Sequence, residues 1–184
     1  MTTRFLITGP SGVGKSTLAC SLYVRIKMGY GTIGHEVSLV ELDPWSDTHG
    51  CILGRKPWED RNKRSGQDVF EDYKQNVATF KSRRSELVIG DMEGSMEWRY
   101  NELLVGCADY AILLHGQNNE SELHRQLLAQ LQIPILGEFV SAPQGHVSDH
   151  GLQVISGLQR SLVPDNPGVR DIVRMMWQAF ARNR

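Results

Sequence analysis

The sequence predicts an α/β protein: a doubly wound, mostly parallel sheet with helices on both faces. Three observations predict it. Short apolar, β-rich runs alternate with longer amphipathic runs at helical spacing. A glycine-rich loop joins the first strand to the first helix. The 184 residues contain no repeat, low-complexity segment or interdomain linker, which fits one α/β domain.

The elements follow in order. Arg4 to Thr8 reads as the first strand, and Lys15 to about Met28 as the first helix, with Leu18, Leu22 and Ile26 at helical spacing. Gly29-Tyr30-Gly31 supplies a stop. Val37 to Leu42 is a second strand, closed by Asp43-Pro44 because proline cannot continue a central strand. Trp45 to Ser65 reads as irregular. Gln67 to about Arg84 is helical through Val69, Phe70, Tyr73, Val77 and Phe80. The third strand is Leu87 to Gly90, ending at Asp91, and a helix is expected from Glu97 to Cys107. Asp109 to Leu114 is the fourth strand, Asn119 to Gln132 a helix, and Pro134 to Val140 the fifth strand. Ser141 to Asp149 reads as a loop. Two helical segments follow, Leu152 to Leu162 and Val169 to Arg182, separated by Pro164 and Pro167. The expected organisation is one domain over 1–184, with 150–184 a C-terminal helical extension.

Composition narrows the function classes. Hydrophobic residues make up 40% and charged residues 22%, enough for a packed core. The net charge of -1 gives no global field toward nucleic acid or acidic membrane. Cys20, Cys51 and Cys107 are scattered and form no C-x-x-C. That argues against a disulfide framework or structural zinc and suits a reducing cytosol. No apolar run approaches membrane-spanning length, and no signal peptide is expected. A cytoplasmic protein is expected.

Gly9-Pro10-Ser11-Gly12-Val13-Gly14-Lys15-Ser16 fits the Walker A pattern G-x-x-x-x-G-K-[ST], with Thr17 following. Glycines let the backbone wrap with its N–H groups inward. Those donors and the positive helix end cradle a polyphosphate. Lys15 is the point charge for the β- and γ-phosphates, Ser16 offers a hydroxyl to Mg²⁺, and Thr17 supports the turn. A nucleoside triphosphate, ATP or GTP, is the expected ligand, with Mg²⁺ as cofactor.

Ligands of such sheets bind at the carboxyl ends of the strands. Asp91-Met92-Glu93-Gly94 follows a buried strand. Asp91 there suits Mg²⁺, and the Gly94 N–H suits the γ-phosphate. Glu93 can polarise water, accept a substrate proton or be solvated. Glu41 and Asp43 sit at the end of the second strand and, two apart, share a face. Either can orient water, contact Mg²⁺ or accept a proton from an acceptor hydroxyl; Asp43 can instead cap the turn before Pro44. His49 in the same loop reads as solvated. Arg55 to Arg64 carries five cations against two carboxylates. Arg61 and Arg64 there, and Arg99 beyond Asp91, are candidate phosphate or substrate contacts, although a charge run is more often a solvated loop. Trp58 can stack on a base or pin that loop. His146 and His150, four apart, lie between glycines and make a weak metal pair. The terminal helix carries an apolar stripe that packs on the core or meets a partner.

Together these pieces resemble the SIMIBI class of P-loop NTPases. Gly34-His35-Glu36-Val37-Ser38-Leu39-Val40-Glu41-Leu42-Asp43-Pro44 is similar to the second-strand segment of MinD/ParA-like ATPases. Leu87 to Gly94, Ala108 to Leu114 and Ile133 to Gly137 are similar to that class's later motifs, in order along the first three-quarters of the chain. The resemblance implies a P-loop strand near the centre of the sheet, Mg-nucleotide at Gly9 to Thr17, Asp43 near the attacking water or metal, Asp91 on Mg²⁺, and a homodimer or protein partner. Three departures accompany it. Pro10 stands where MinD/ParA proteins carry a signature lysine; Ser141-Ala142-Pro143 stands where relatives often place a base-reading asparagine; no N-K-x-D or T-K-x-D is present. These turn the resemblance toward metallochaperone and cofactor-biosynthesis relatives, and Asp91 to Leu114 also bears a likeness to adenylate-kinase-like proteins. Three functions remain open: an NTPase, a P-loop kinase with a small anionic or nucleoside-like acceptor, and a nucleotide-gated partner-binding module.

Overall fold

The computed structural model describes residues 1–29, 36–44, 48–56, 58, 69–94, 101–116, 121–142, 152–158 and 161–184. Six strands form one parallel sheet: β1 (Thr3–Thr8), β2 (Val37–Glu41), β3 (Leu87–Asp91), β4 (Tyr110–His115), β5 (Ile135–Ala142) and β6 (Gln153–Ser156). Their order is β2-β3-β1-β4-β5-β6. The helices are α1 (Lys15–Lys27), α2 (Thr48–Ile52), α3 (Val69–Ser82), α4 (Ser121–Gln130) and α5 (Pro167–Arg182). The doubly wound architecture expected from the sequence is the one observed, with the glycine-rich loop leaving the interior strand β1.

Side-chain alternation explains why both faces are covered. Phe5 and Ile7 of β1 enter one apolar cluster with Leu18, Leu22 and Ile26 of α1 and Ile172, Val173 and Met176 of α5. Leu6, between them, enters the opposite cluster with Tyr73, Val77 and Phe80 of α3 and Leu127 and Leu128 of α4. Strand residues two apart share a face, so near-continuous apolar runs are what a sheet buried on both sides requires. The stripe of the terminal helix packs on the core, with Val169, Ile172 and Met176 fully buried.

Several expectations are corrected. The stretch Leu152 to Leu162, expected as helix, contributes the strand β6 at Gln153–Ser156. β-Branched Val154 and Ile155 favour extended backbone, β5 offers an open parallel edge, and Ile155 is fully buried in the core cluster. Gly157, at φ 82°, ends the strand. Within the stretch expected to be irregular, Thr48–Ile52 forms α2. The described part of the segment expected as a helix from Glu97 to Cys107 holds a 3-10 turn at Glu102–Leu104; residues 97–100 lie outside the described residues. Helix α5 begins two residues before the expected Val169: Asn166 Oδ1 accepts the Gly168 N–H at 2.9 Å and Pro167 follows the cap.

Candidate functional site

The loop from β1 to α1 has the geometry its glycines predict. Gly9 sits at φ 146°, and a Cβ there would stand 2.3 Å from the Leu114 carbonyl oxygen. Gly14 sits at φ 89°, directly before α1, where a Cβ would stand 2.7 Å from Leu158. The first position needs close backbone approach and the second left-handed backbone, so neither tolerates a side chain. Val13 is turned inward and belongs to the core cluster. Lys15 is 8% exposed, and its Nζ donates to the Pro10 carbonyl at 2.8 Å. Burial lowers the Lys15 pKa, opposed by the charges of Asp91, Asp43 and Glu93. Those three carboxylates surround the one lysine the phosphate pattern requires.

A cavity of about 640 Å³ opens over this loop. Ser11, Gly12, Gly14, Lys15, Ser16 and Thr17 form one wall. Asp43, Thr48, Ile52 and Trp58 form part of another, and Met92, Gly94 and Leu158 complete the described lining. The structure therefore brings Asp43 and Gly94 to the glycine-rich loop. A Cβ on Gly94 would lie 2.9 Å from Ser11 N and 3.1 Å from Lys15 Nζ, so the loop after β3 touches the loop after β1. Trp58 lines the same cavity.

Glu41 and Asp91 lie beneath that surface, directly across from each other in the β2–β3 register. Glu41 Oε1 accepts the Thr48 N–H at 2.7 Å and Oε2 the His49 N–H at 3.4 Å. The carboxylate thus satisfies amides of the first turn of α2, which have no partner within the helix. His49 is buried, not solvated as the sequence reading had it, and its Nε2 stands 3.0 Å from Asp91 Oδ2. Burial alone would lower the His49 pKa, but the Asp91 hydrogen bond and the charges of Asp91, Glu41 and Asp43 raise it.

Glu41, His49 and Asp91 bring one potential metal ligand each within 4.8 Å of one another. His49 Nε2 is engaged by Asp91 Oδ2, and the Glu41 oxygens by the α2 amides. Asp91 Oδ1 is different: it is buried and takes no hydrogen bond from any described residue. An orphaned buried carboxylate oxygen is costly without a cation or donor. That oxygen and the Ser16 hydroxyl are hard donors of the kind Mg²⁺ takes, so the residues present fit the ion.

Glu93 follows in the same loop and is half-buried. Arg61, Arg64 and Arg99 lie outside the described residues, as do Asp47, His146 and His150. No helix among the described residues is long and apolar enough to cross a membrane. The sequence alone singles out none of His49, Thr48 and Leu158. Nothing local marks them: His49 meets Asp91 across 42 positions, and Leu158 reaches Gly14 only because β6 joins the sheet.

No protein-family model matches the chain, and no curated protein matches it in sequence. Solved structures do match. Cobyrinic acid a,c-diamide synthase from Mycobacterium smegmatis, with bound ADP and magnesium, superposes over 100% of this chain and 97% of its own, with a TM-score of 0.63 at 14% identity. The septum site-determining protein MinD from Pyrococcus horikoshii OT3, complexed with Mg-ADP, covers 94% of this chain and 77% of its own, with a TM-score of 0.58 at 16% identity. A plasmid partition protein from Borrelia burgdorferi covers 100% of both chains, with a TM-score of 0.58 at 12% identity. The chain has the P-loop NTPase α/β fold of these solved structures.

Proposed function

We propose that this protein binds a Mg-nucleoside triphosphate over Gly9 to Thr17 and hydrolyses it. The observation that carries the reading is one cavity lined by Lys15, Ser16 and Asp43 together. The amides of Gly12 to Ser16 and the start of α1 bind the polyphosphate. Lys15 balances charge on the β- and γ-phosphates. Ser16 and Asp91 hold Mg²⁺, which when bound neutralises charge that develops on the phosphate oxygens. Asp43 orients the attacking water and accepts its proton. Gly94 allows the loop after β3 to reach the γ-phosphate. The nucleotides held by the cobyrinic acid a,c-diamide synthase and MinD structures support the same ligand class here. A homodimer around nucleotide is part of this reading.

The test is phosphate release from ATP and from GTP, with and without small anionic or nucleoside-like acceptors. Release to water that Lys15→Ala abolishes supports the proposal. Transfer that requires an acceptor replaces it with a kinase, in which Asp43 is the base for the acceptor hydroxyl. Tight nucleotide binding without turnover replaces it with a nucleotide-gated module.

A further inference from the structure

We infer that His49 is a positioning residue for the metal-binding carboxylate of Asp91, held in place by Glu41. The inference rests on the proposed Mg²⁺ role of Asp91. It concerns groups that the phosphate loop does not contain.

The geometry has two linked parts. The first is the anchoring of α2. This helix has five residues, too few to be stable by itself. Its first two amides point at the Glu41 carboxylate, at 2.7 and 3.4 Å. A negative group at a helix start is favourable on both hydrogen-bonding and dipole grounds. Glu41 therefore fixes where α2 begins relative to the end of β2.

The second part is what that anchoring delivers. Residue 49, the second of α2, places its ring against Asp91, which is 1% exposed. The two oxygens of a carboxylate are equivalent, so a partner on one of them fixes the rotation of the group. Here Oδ2 is tied to His49 Nε2 at 3.0 Å, leaving Oδ1 as the oxygen with no described partner. The histidine thus fixes the rotation of the carboxylate, holding one oxygen on its ring and leaving the other for the cation. Partners of this kind orient ligands, and their loss typically costs about 10- to 100-fold in metal affinity. On the cavity side of the same helix, Thr48 and Ile52 line the nucleotide site. One short helix therefore connects the nucleotide cavity to the carboxylate beneath it.

The readout is metal affinity. Mn²⁺ would be titrated by electron paramagnetic resonance into the protein loaded with adenylyl or guanylyl imidodiphosphate. Nucleotide affinity would be measured separately in excess chelator. His49→Ala should weaken Mn²⁺ binding by about 10- to 100-fold and leave metal-free nucleotide affinity unchanged. His49→Gln, which keeps an N–H donor, should recover part of the loss. Glu41→Ala should weaken Mn²⁺ binding as well. Combining it with His49→Ala should add little, because the two act through one contact. Asp91→Asn is the control. If it binds Mn²⁺ like the parent protein, the metal role of Asp91 is wrong. If it loses Mn²⁺ while His49→Ala and His49→Gln both bind like the parent, the positioning role alone is overturned. Equal loss of Mn²⁺ and of metal-free nucleotide in His49→Ala and His49→Gln would reduce His49 to a purely structural residue and also overturn the inference.

Discussion

Thr8 Oγ1 and His124 Nδ1 lie 2.9 Å apart on the sheet face opposite α1. Thr8 is the last residue of β1 before the glycine-rich loop, and His124 lies on α4. Burial and then the nearby Lys15 charge push the His124 pKa down to about 4. The folded value lies below the unfolded one, so the unfolded chain takes up the proton first. Stability from neutral His124 is therefore complete above about pH 6.5 and is lost as the pH falls toward 4. Urea unfolding across that window should show a decline on the order of 3 kcal/mol from this group. His124→Gln should remove that part of the slope. An unchanged slope would exclude His124 as its source.

Asp43 lines the same cavity as Lys15 and Ser16. Asn keeps the shape and removes the charge and the proton acceptor. Asp43→Asn should bind nucleotide within about twofold of the parent and lose turnover by about 100-fold or more, the range of a positioned general base. Single-turnover phosphate release alongside equilibrium nucleotide binding checks this. Turnover at the parent rate would remove Asp43 from the mechanism.

Gly94 is where two loops meet. A methyl group there would press on Ser11 N at 2.9 Å and Ser11 Cα at 3.0 Å. Ser11 belongs to the phosphate loop, so relief of the clash moves the cradle itself. Overpacking costs about 1–3 kcal/mol. Gly94→Ala should therefore raise the nucleotide Kd by about tenfold, read by calorimetry. Affinity equal to the parent would show that the loop after β3 yields instead.

Asn166 acts at the other end of the chain. Its Oδ1 caps α5 through the Gly168 N–H at 2.9 Å, and its Nδ2 donates to the Ser156 carbonyl at 3.1 Å. It ties α5 to the end of β6. Asn166→Ala should cost about 1–2 kcal/mol, and Asn166→Asp, which keeps the cap, less than that. Chemical denaturation of the three proteins tests the order. Equal stability of the alanine variant would mean that Pro167 alone sets the helix start.

The regular elements were legible because their signals are local. The unbroken apolar run Phe5-Leu6-Ile7 reports a strand buried on both faces, and the helical spacing of Tyr73, Val77 and Phe80 reports one face that must be buried. The Gly9 to Ser16 pattern is local as well: its spacing dictates left-handed backbone at Gly14 and close approach at Gly9, and the structure has both. Asp43 and Asp91 were legible as candidates because strand ends in parallel sheets face the ligand.

What the sequence by itself determined is the α/β architecture, the glycine-rich loop and the carboxylates that end the strands. Periodicity and loop chemistry act over a few residues and need no knowledge of neighbours. Only the tertiary structure decided that Glu41 holds α2, that His49 is buried on Asp91, and that Gln153–Ser156 is a sixth strand. Each depends on a partner outside the local run of residues: Thr48 for Glu41, Asp91 for His49 and β5 for the sixth strand. A carboxylate reads alike whether it meets water, metal or a helix start. A histidine between polar residues reads as exposed until a distant acid covers it. Four residues with two β-branched members become a strand because an open edge of β5 receives them.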